Sequence, residues 1–114
     1  MINGAHAIIY SHAPEKDVAF LRDVLQLSHV DVGHGWLIFA LPPSELAVHP
    51  AETGNTHELY LMCEDIEAFC KEMVARDIAC SEVERQPWGL LVRITLPGGS
   101  PLGVYQPLHE RPRG

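Results

Sequence analysis

The sequence predicts one small α+β domain built from two tandem β-α-β-β-β modules. A chain of 114 residues is long enough to bury a core of its own. Apolar residues recur at strand spacing, then at helix spacing, then in further short strands, and this order occurs twice. The segment Leu41–Pro50 also aligns with Leu96–Pro107, because both run from a long strand through a Pro-containing turn into a short strand that ends at Pro.

The first module is predicted from about residue 3 to residue 50. The apolar run Ala5–Ser11 is its first strand, and Pro14–Gln26 is its helix, with Pro at the N-terminus and apolar residues at helical spacing after it. Three strands are predicted to follow, at His29–Val32, Trp36–Leu41 and Glu45–His49. The segment Pro50–Asn55 is rich in turn-forming residues, which predicts a linker.

The second module is predicted from about residue 56 to residue 107 and repeats this order. The strand His57–Cys63 comes first, and Asp65 is suited to cap the N-terminus of the helix that follows it. The remaining predicted strands are Ile78–Val83, Trp88–Leu96 and Leu102–Tyr105. Residues 108–114 form a polar tail, so the whole of 1–114 is predicted to be a single domain.

Composition excludes several classes of partner. The formal net charge of −7 argues against nucleic acid, because phosphate contacts require clustered Lys and Arg. No apolar run approaches the roughly 18 residues of a membrane helix, and the N-terminus lacks the pattern of a signal peptide. We therefore expect a cytoplasmic protein without a membrane partner. The three cysteines lack C-x-x-C spacing, which predicts free thiols that pack as small apolar side chains.

Local motifs occur along nearly the whole chain in a recognisable order. A strand running from His6 enters a helix that contains Phe20–Leu27, Cys63–Ile66 supplies two acids and an Ile, and Leu96–Ser100 with Gln106–Pro107 forms the last hairpin. In this order and spacing the chain resembles the vicinal-oxygen-chelate superfamily. That superfamily holds glyoxalase I, fosfomycin and bleomycin resistance proteins, and extradiol dioxygenases. The resemblance implies a curved mixed sheet around a cleft.

The resemblance also implies a divalent metal, held by the first and last strands of each module and chelated by neighbouring oxygens of a substrate. The first-strand positions fall on His6 and Glu58. The last-strand positions fall on Ala47 and Gly103, neither of which can bind a metal. A register shifted by one residue would replace Glu58 by His57.

His49 offers a substitute ligand, since strand side chains alternate and it therefore shares a face with Ala47. His6, His49 and Glu58 together give two histidines and one carboxylate, a set that suits Fe(II), Zn, Mn or Ni. The alternative is a cleft that has lost its metal. Glu58 is also the candidate to move a proton in catalysis.

Three tyrosines are candidate substrate-binding residues. Tyr10 and Tyr60 share the inward face with His6 and Glu58 by period two, and Tyr105 shares the face of Gly103. Arg93 interrupts an apolar strand and either faces solvent or offers a cation to an anionic substrate. His109 lies in the polar tail and is expected to be solvated.

Three functions remain open at this point. The first is a metal-dependent lyase, isomerase or dioxygenase acting on a small oxygen-rich substrate. The second is a metal-free protein that binds or sequesters a small molecule or drug, and the third is an interaction domain without a small ligand. A homodimer is predicted in each case, because curved sheets of this size leave edges and an apolar face that a short chain covers only in part.

Overall fold

A computed structural model describes residues 6–33, 35–44, 47, 50, 52 and 57–110. The helices are α1 (Pro14–Ala19), which continues as a π-helical turn (Phe20–Val24), and α2 (Ile66–Ala75). The strands are β1 (His29–Asp31), β2 (Leu37–Phe39), β3 (Tyr60–Met62), β4 (Glu84–Gln86), β5 (Gly89–Thr95) and β6 (Pro101–Pro107).

The second module contains five elements in the predicted order β-α-β-β-β. Its four strands form one mixed sheet in the order β3-β6-β5-β4. β3 runs parallel to β6, with Tyr60 opposite Gly103, while β5 pairs antiparallel with both β6 and β4. The parallel pairing is possible because α2 forms the crossover from β3 back to the same end of the sheet.

Helix α2 begins and ends at residues that the sequence marks. The side chain of Asp65 accepts the backbone N–H groups of Glu67 and Ala68, both at 3.1 Å, so it caps the N-terminus as predicted. At the C-terminus Asp77 is left-handed, with φ of 58°, and the N–H of Ile78 donates to the carbonyl of Met73. This pair of features is a Schellman ending with Asp in the place where glycine is usual.

The core lies between the helices and one face of this sheet. Its buried residues come from both helical segments and from the two longest strands: Phe20, Ile66, Met73, Val92, Ile94, Leu96, Leu102 and Val104. Ile94 and Val92 are fully buried. Phe20 belongs to the π-helical turn of the first module, so the two modules share one core.

The first module is described only in part. β1 and β2 pair antiparallel as predicted, with Val30 opposite Ile38. Residues 6–11 are described but are not paired as a strand, contrary to the prediction for Ala5–Ser11. In the second module, β3 pairs with β6. The segment of the first module that corresponds to β6, Glu45–His49, lies outside the described residues apart from Ala47.

One strand of the second module lies later in the chain than predicted. Ile78–Val83 was expected to be a strand, but only Cys80 makes a single bridge there, to Ile94. The strand β4 is instead Glu84–Gln86, which turns through Pro87 and Trp88 directly into β5. β4 is an edge strand of the sheet. Edge strands carry polar side chains that prevent pairing with other chains, so β4 lacks the apolar pattern from which a strand is predicted.

The longest uninterrupted α-helix in the part of the chain that the structure describes is α2, with ten residues. No helix in these ranges is long and apolar enough to cross a membrane.

Candidate functional site

The sheet of the second module has a second face, which we call the cleft face, opposite the helices and the core. Leu102 and Val104 point into the core, so alternation places Gly103 and Tyr105 of β6 on the cleft face. By the same argument Tyr60 of β3 and Arg93 of β5 lie on the cleft face. The strands therefore bring these four residues together from distant parts of the chain.

Three large aromatic rings pack together on the cleft face, and we call Tyr60, Trp88 and Tyr105 the aromatic cluster. Their ring centroids lie 5.0 to 6.1 Å apart, and Tyr105 meets both neighbours edge-on. His109 extends the cluster, because its Nε2 lies 3.1 Å from the Tyr105 hydroxyl and its ring 5.9 Å from that of Tyr105. Such edge-to-face contacts hold aromatic rings in defined positions.

Two glycines make room for this cluster. A Cβ atom at Gly103 would overlap the ring of Tyr60, and a Cβ atom at Gly89 would come within 2.7 Å of the ring of Tyr105. Both positions therefore require glycine for the rings to approach the sheet this closely. At Gly103 the ring of Tyr60 occupies the space into which a side chain would project.

A groove of about 340 Å³ begins at Tyr60 and runs between residues 8–10 and the N-terminal ends of β3 and β6. Tyr10, His57, Glu58 and Arg93 contribute its polar lining. The volume lies within the range typical of pockets for small molecules.

The polar groups of the groove are connected to one another. The Tyr60 hydroxyl donates to Oε2 of Glu58 at 2.9 Å. Burial, and secondly this hydrogen bond, raises the pKa of Tyr60 above its ordinary value, so the phenol stays protonated as a donor. Arg93 forms a loose ion pair with Glu84, with 3.6 Å between nitrogen and oxygen, and both side chains of this pair are well exposed. The guanidinium therefore remains accessible to an anionic group of a ligand.

The predicted site residues are placed as follows. Glu58 and Tyr60 lie on the groove together, and Tyr10 lines it while its side chain is 84% exposed. Tyr105 belongs to the aromatic cluster and does not line the groove. His6 is exposed and is not among the lining residues, and His49 lies outside the described residues.

The residues that the structure describes do not by themselves form the metal site that the resemblance implies. Within these ranges no three His, Cys, Asp or Glu side chains lie close enough to share an ion. The last-strand position of the second module is Gly103, covered by Tyr60, and Glu58 is already engaged by the Tyr60 hydroxyl. The predicted set of His6, His49 and Glu58 includes a residue outside the described ranges, so it stays a prediction.

Two contributors to the site are not among the predicted site residues. His109 was expected to be solvated, yet it is half-buried against Tyr105, four residues earlier in the chain. Trp88 opens the predicted strand at its first residue, but its contact with Tyr60 comes from the tertiary fold. The signal that could have found both is the pair of glycines, Gly89 and Gly103, in otherwise bulky strands.

Comparison with solved structures identifies the fold, while no protein-family model and no curated protein matches the sequence. An antibiotic binding protein, TnmS3, from Streptomyces sp. CB03234 shares 22% identity and has a TM-score of 0.64, covering 94% of this chain and 99% of that chain. A lactoylglutathione lyase from Agrobacterium tumefaciens shares 17% identity at a TM-score of 0.63, covering 91% of this chain and 92% of that chain. A glyoxalase/bleomycin resistance protein from Streptomyces sp. CB03234 shares 23% identity at a TM-score of 0.58, covering 82% of this chain and 90% of that chain.

These similarities establish the class of fold. The chain has the α+β fold of the glyoxalase and bleomycin resistance proteins of the vicinal-oxygen-chelate superfamily, as its motif order predicted. At no more than 23% identity among these three structures, the likeness extends to the fold and leaves the activity to be argued from the site.

Proposed function

We propose that this protein binds a small planar molecule on the cleft face without requiring a metal. The observation that carries the proposal is the aromatic cluster, with the ring of Tyr60 lying where Gly103 has no side chain. Aromatic rings in fixed positions offer large contact area at low cost in side-chain entropy. The similarity to an antibiotic binding protein supports the same class of function.

The groove beside the cluster specifies the ligand further. Arg93 supplies a cation. The single proton of the Tyr60 hydroxyl is already donated to Glu58, so the Tyr60 oxygen and the Glu58 carboxylate both offer acceptors to a ligand. A planar aromatic molecule that carries a carboxylate beside a hydroxyl group would satisfy these groups together.

The two tryptophans provide a direct test, because Trp88 lies in the cluster and Trp36 is 75% exposed elsewhere. In a Trp36→Phe protein the fluorescence reports on Trp88 alone. We expect saturable quenching by 1-hydroxy-2-naphthoate, and binding weakened about 10-fold by Tyr60→Ala, equivalent to about 1.4 kcal/mol.

Arg93→Gln should weaken binding of 1-hydroxy-2-naphthoate but leave that of 2-naphthol, which lacks the carboxylate, unchanged. Arg85→Gln is the matched control, since Arg85 pairs opposite Leu90 and lies on the other face of the sheet. Binding that is indifferent to both Tyr60→Ala and Arg93→Gln would refute the proposed site.

A metal-dependent lyase, isomerase or dioxygenase is the second candidate. The observation in its favour is that Glu58, one of the predicted ligands, lines the groove. His6, His49 and Glu58 would be the ligands, and Fe, Zn, Mn or Ni the ion. When bound, the ion would polarise the neighbouring oxygens of a substrate, while Glu58 could hold a transferred proton.

Metal analysis of protein purified without a His-tag distinguishes the two candidates. The enzyme hypothesis requires about one ion per chain that is lost in Glu58→Gln, because the only anionic ligand is then removed. The binding hypothesis requires ligand affinity that is unchanged after treatment with a chelator.

We also propose that the protein is a homodimer that pairs through the first module. One face of the β1–β2 sheet carries four exposed apolar side chains, Val30, Val32, Trp36 and Ile38. We call this set the exposed apolar face. Apolar patches of this kind on a small protein typically mark contact surfaces.

Sedimentation of Val30→Lys tests this pairing, since a buried ammonium at the centre of the face should shift a dimer to monomer. His29→Lys introduces the same group on the opposite side of the same strand and should leave the dimer intact. A wild-type protein that sediments as a monomer at tens of micromolar would contradict the proposal.

A further inference from the structure

Two of the three cysteines meet on the side of the sheet away from the cleft face. Cys70 lies in α2, and Cys80 makes the single bridge to Ile94 before β4. Their Sγ atoms are 3.0 Å apart, and both side chains are half-buried against the core. The two sulfurs are free thiols in this structure.

The two thiols are hydrogen-bonded to each other, and either sulfur can be the donor. Burial, and secondly the hydrogen bond with Cys70, raises the pKa of Cys80 to about 12. Since the thiolate is the nucleophile in cysteine oxidation, whichever thiol loses its proton reacts with the oxidant, and the other sulfur lies close enough to complete a disulfide.

We propose that Cys70 and Cys80 are a redox-sensitive dithiol that forms a reversible intramolecular disulfide when hydrogen peroxide oxidises the protein. The thiolate of one cysteine attacks a peroxide oxygen, the O–O bond breaks, and a sulfenic acid forms at that cysteine with release of hydroxide. The sulfur of the other cysteine then attacks the sulfenic sulfur, the S–O bond breaks, and water leaves with the proton of the second thiol. In total the two thiols lose two electrons and two protons, and one peroxide becomes two waters.

The third cysteine, Cys63, is near enough to Cys70 to interact with it electrostatically, but it is not part of the sulfur contact. Cys63 follows β3, and its backbone N–H donates to the carbonyl of Tyr105 at 2.9 Å, which fixes it at the end of the sheet. Burial also raises its pKa, which lowers its fraction of thiolate. Among the described residues the close sulfur contact is the one between Cys70 and Cys80.

The disulfide would connect the middle of α2 to the segment that leads into β4. A covalent link between two parts of the chain restricts the unfolded ensemble, and this raises stability. The aromatic cluster lies on the other face of the sheet, so ligand binding there should not change.

The test is mild oxidation of the full chain with hydrogen peroxide, followed by intact mass and non-reducing peptide mapping. We expect a mass loss of about 2 Da, because a disulfide releases two hydrogen atoms, and a peptide that links Cys70 to Cys80. Dithiothreitol should reverse the change. The midpoint of thermal unfolding should rise by roughly 5–15 °C on oxidation.

Three variants identify the sulfurs involved. Cys63→Ala should behave as the wild type in the mass loss and the thermal shift, whereas Cys70→Ala and Cys80→Ala should lose both. In each of these two variants a sulfenic acid at the remaining cysteine of the pair should react with dimedone. A disulfide that includes Cys63, one between two chains, or direct oxidation of Cys70 to sulfinic acid in the wild type would overturn the proposal; the wild-type mapping decides this even if a variant does not fold.

Discussion

The two modules share their order of elements but differ in how much apolar surface they bury. Each helical segment ends at a left-handed residue that is not glycine, Gln26 with φ of 56° and Asp77 with φ of 58°. Each then leads into an antiparallel strand pair. In the second module, the strands β5 and β6 supply most of the core, whereas β1 and β2 present the exposed apolar face. The two modules therefore have the same order of elements but do not contribute equally to the stability of the protein.

The largest expected effect compares one isoleucine from each module. Ile94→Ala should lower the free energy of unfolding by about 2–5 kcal/mol, because Ile94 is fully buried and its removal leaves a cavity. Ile38→Ala should cost less than about 1 kcal/mol under conditions where the protein is monomeric, since that side chain is 42% exposed. Urea unfolding at low protein concentration measures both, and equal losses would contradict the assignment of the core to the second module.

The next effect concerns a contact between the modules. Asp17 of α1 is only 5% exposed, and its Oδ1 accepts the N–H of Gly98 in the β5–β6 turn at 2.7 Å. Asp17→Ala should destabilise the protein by about 1–3 kcal/mol, because the buried N–H then loses its acceptor. Glu15→Ala, an exposed acid in the same helix, is the matched control and should change stability by less than about 0.5 kcal/mol. If Asp17→Ala and Glu15→Ala have the same free energy of unfolding, the contact of Asp17 with Gly98 does not stabilise the packing of the two modules.

A smaller effect uses the two left-handed residues that the modules share. Gln26→Gly and Asp77→Gly should each stabilise the protein, by about 0.5–1 kcal/mol, because glycine adopts positive φ without steric cost. The gain should be larger at Gln26, since Asp tolerates this conformation better than Gln. If either glycine variant is less stable than the wild type in thermal unfolding, the side chain at that position makes a contact that outweighs its backbone strain.

The smallest expected effect is a change in the titration of Tyr60. Glu58→Gln should lower the pKa of Tyr60 only in part, because burial is the main cause of the raised value and remains in the variant. A raised pKa in the folded state means that the contribution of the protonated phenol to stability is complete below the ordinary tyrosine pKa of about 10 and is lost as pH rises through the folded value. Ultraviolet absorbance titration measures the shift, and Tyr60→Phe identifies the transition. A pKa that falls fully to the ordinary value would show that Glu58, and not burial, sets it.

The fold could be predicted because its signals are local or repeated. The cap at Asp65, the apolar spacing of α2 and the recurrence of Leu41–Pro50 in Leu96–Pro107 can all be recognised within short windows of sequence. Strand β4 could not, because an edge strand made of Glu-Arg-Gln has the composition of a loop.

The site depends on contacts between residues far apart in the chain, and these have no local signature. The contact of Asp17 with Gly98 spans 81 positions, and that of Tyr60 with Trp88 depends on the pairing of three strands. Glu58 and Tyr60 were recognised as candidates because the period of a strand places them on one face. Their hydrogen bond, and the ring of Tyr60 over Gly103, became visible only with the tertiary structure.

The close approach of Tyr60 to Gly103 constrains the order in which this chain could change over evolutionary time. A glutamate introduced at position 103 would collide with the ring, so that substitution is unfavourable while Tyr60 is present. Replacement of Tyr60 by a small residue would have to come first, and it would remove a member of the aromatic cluster before a new side chain appeared at position 103. The two positions are thus epistatic, and a lineage that gains a carboxylate on the last strand must cross an intermediate that has lost Tyr60 and does not yet carry the carboxylate.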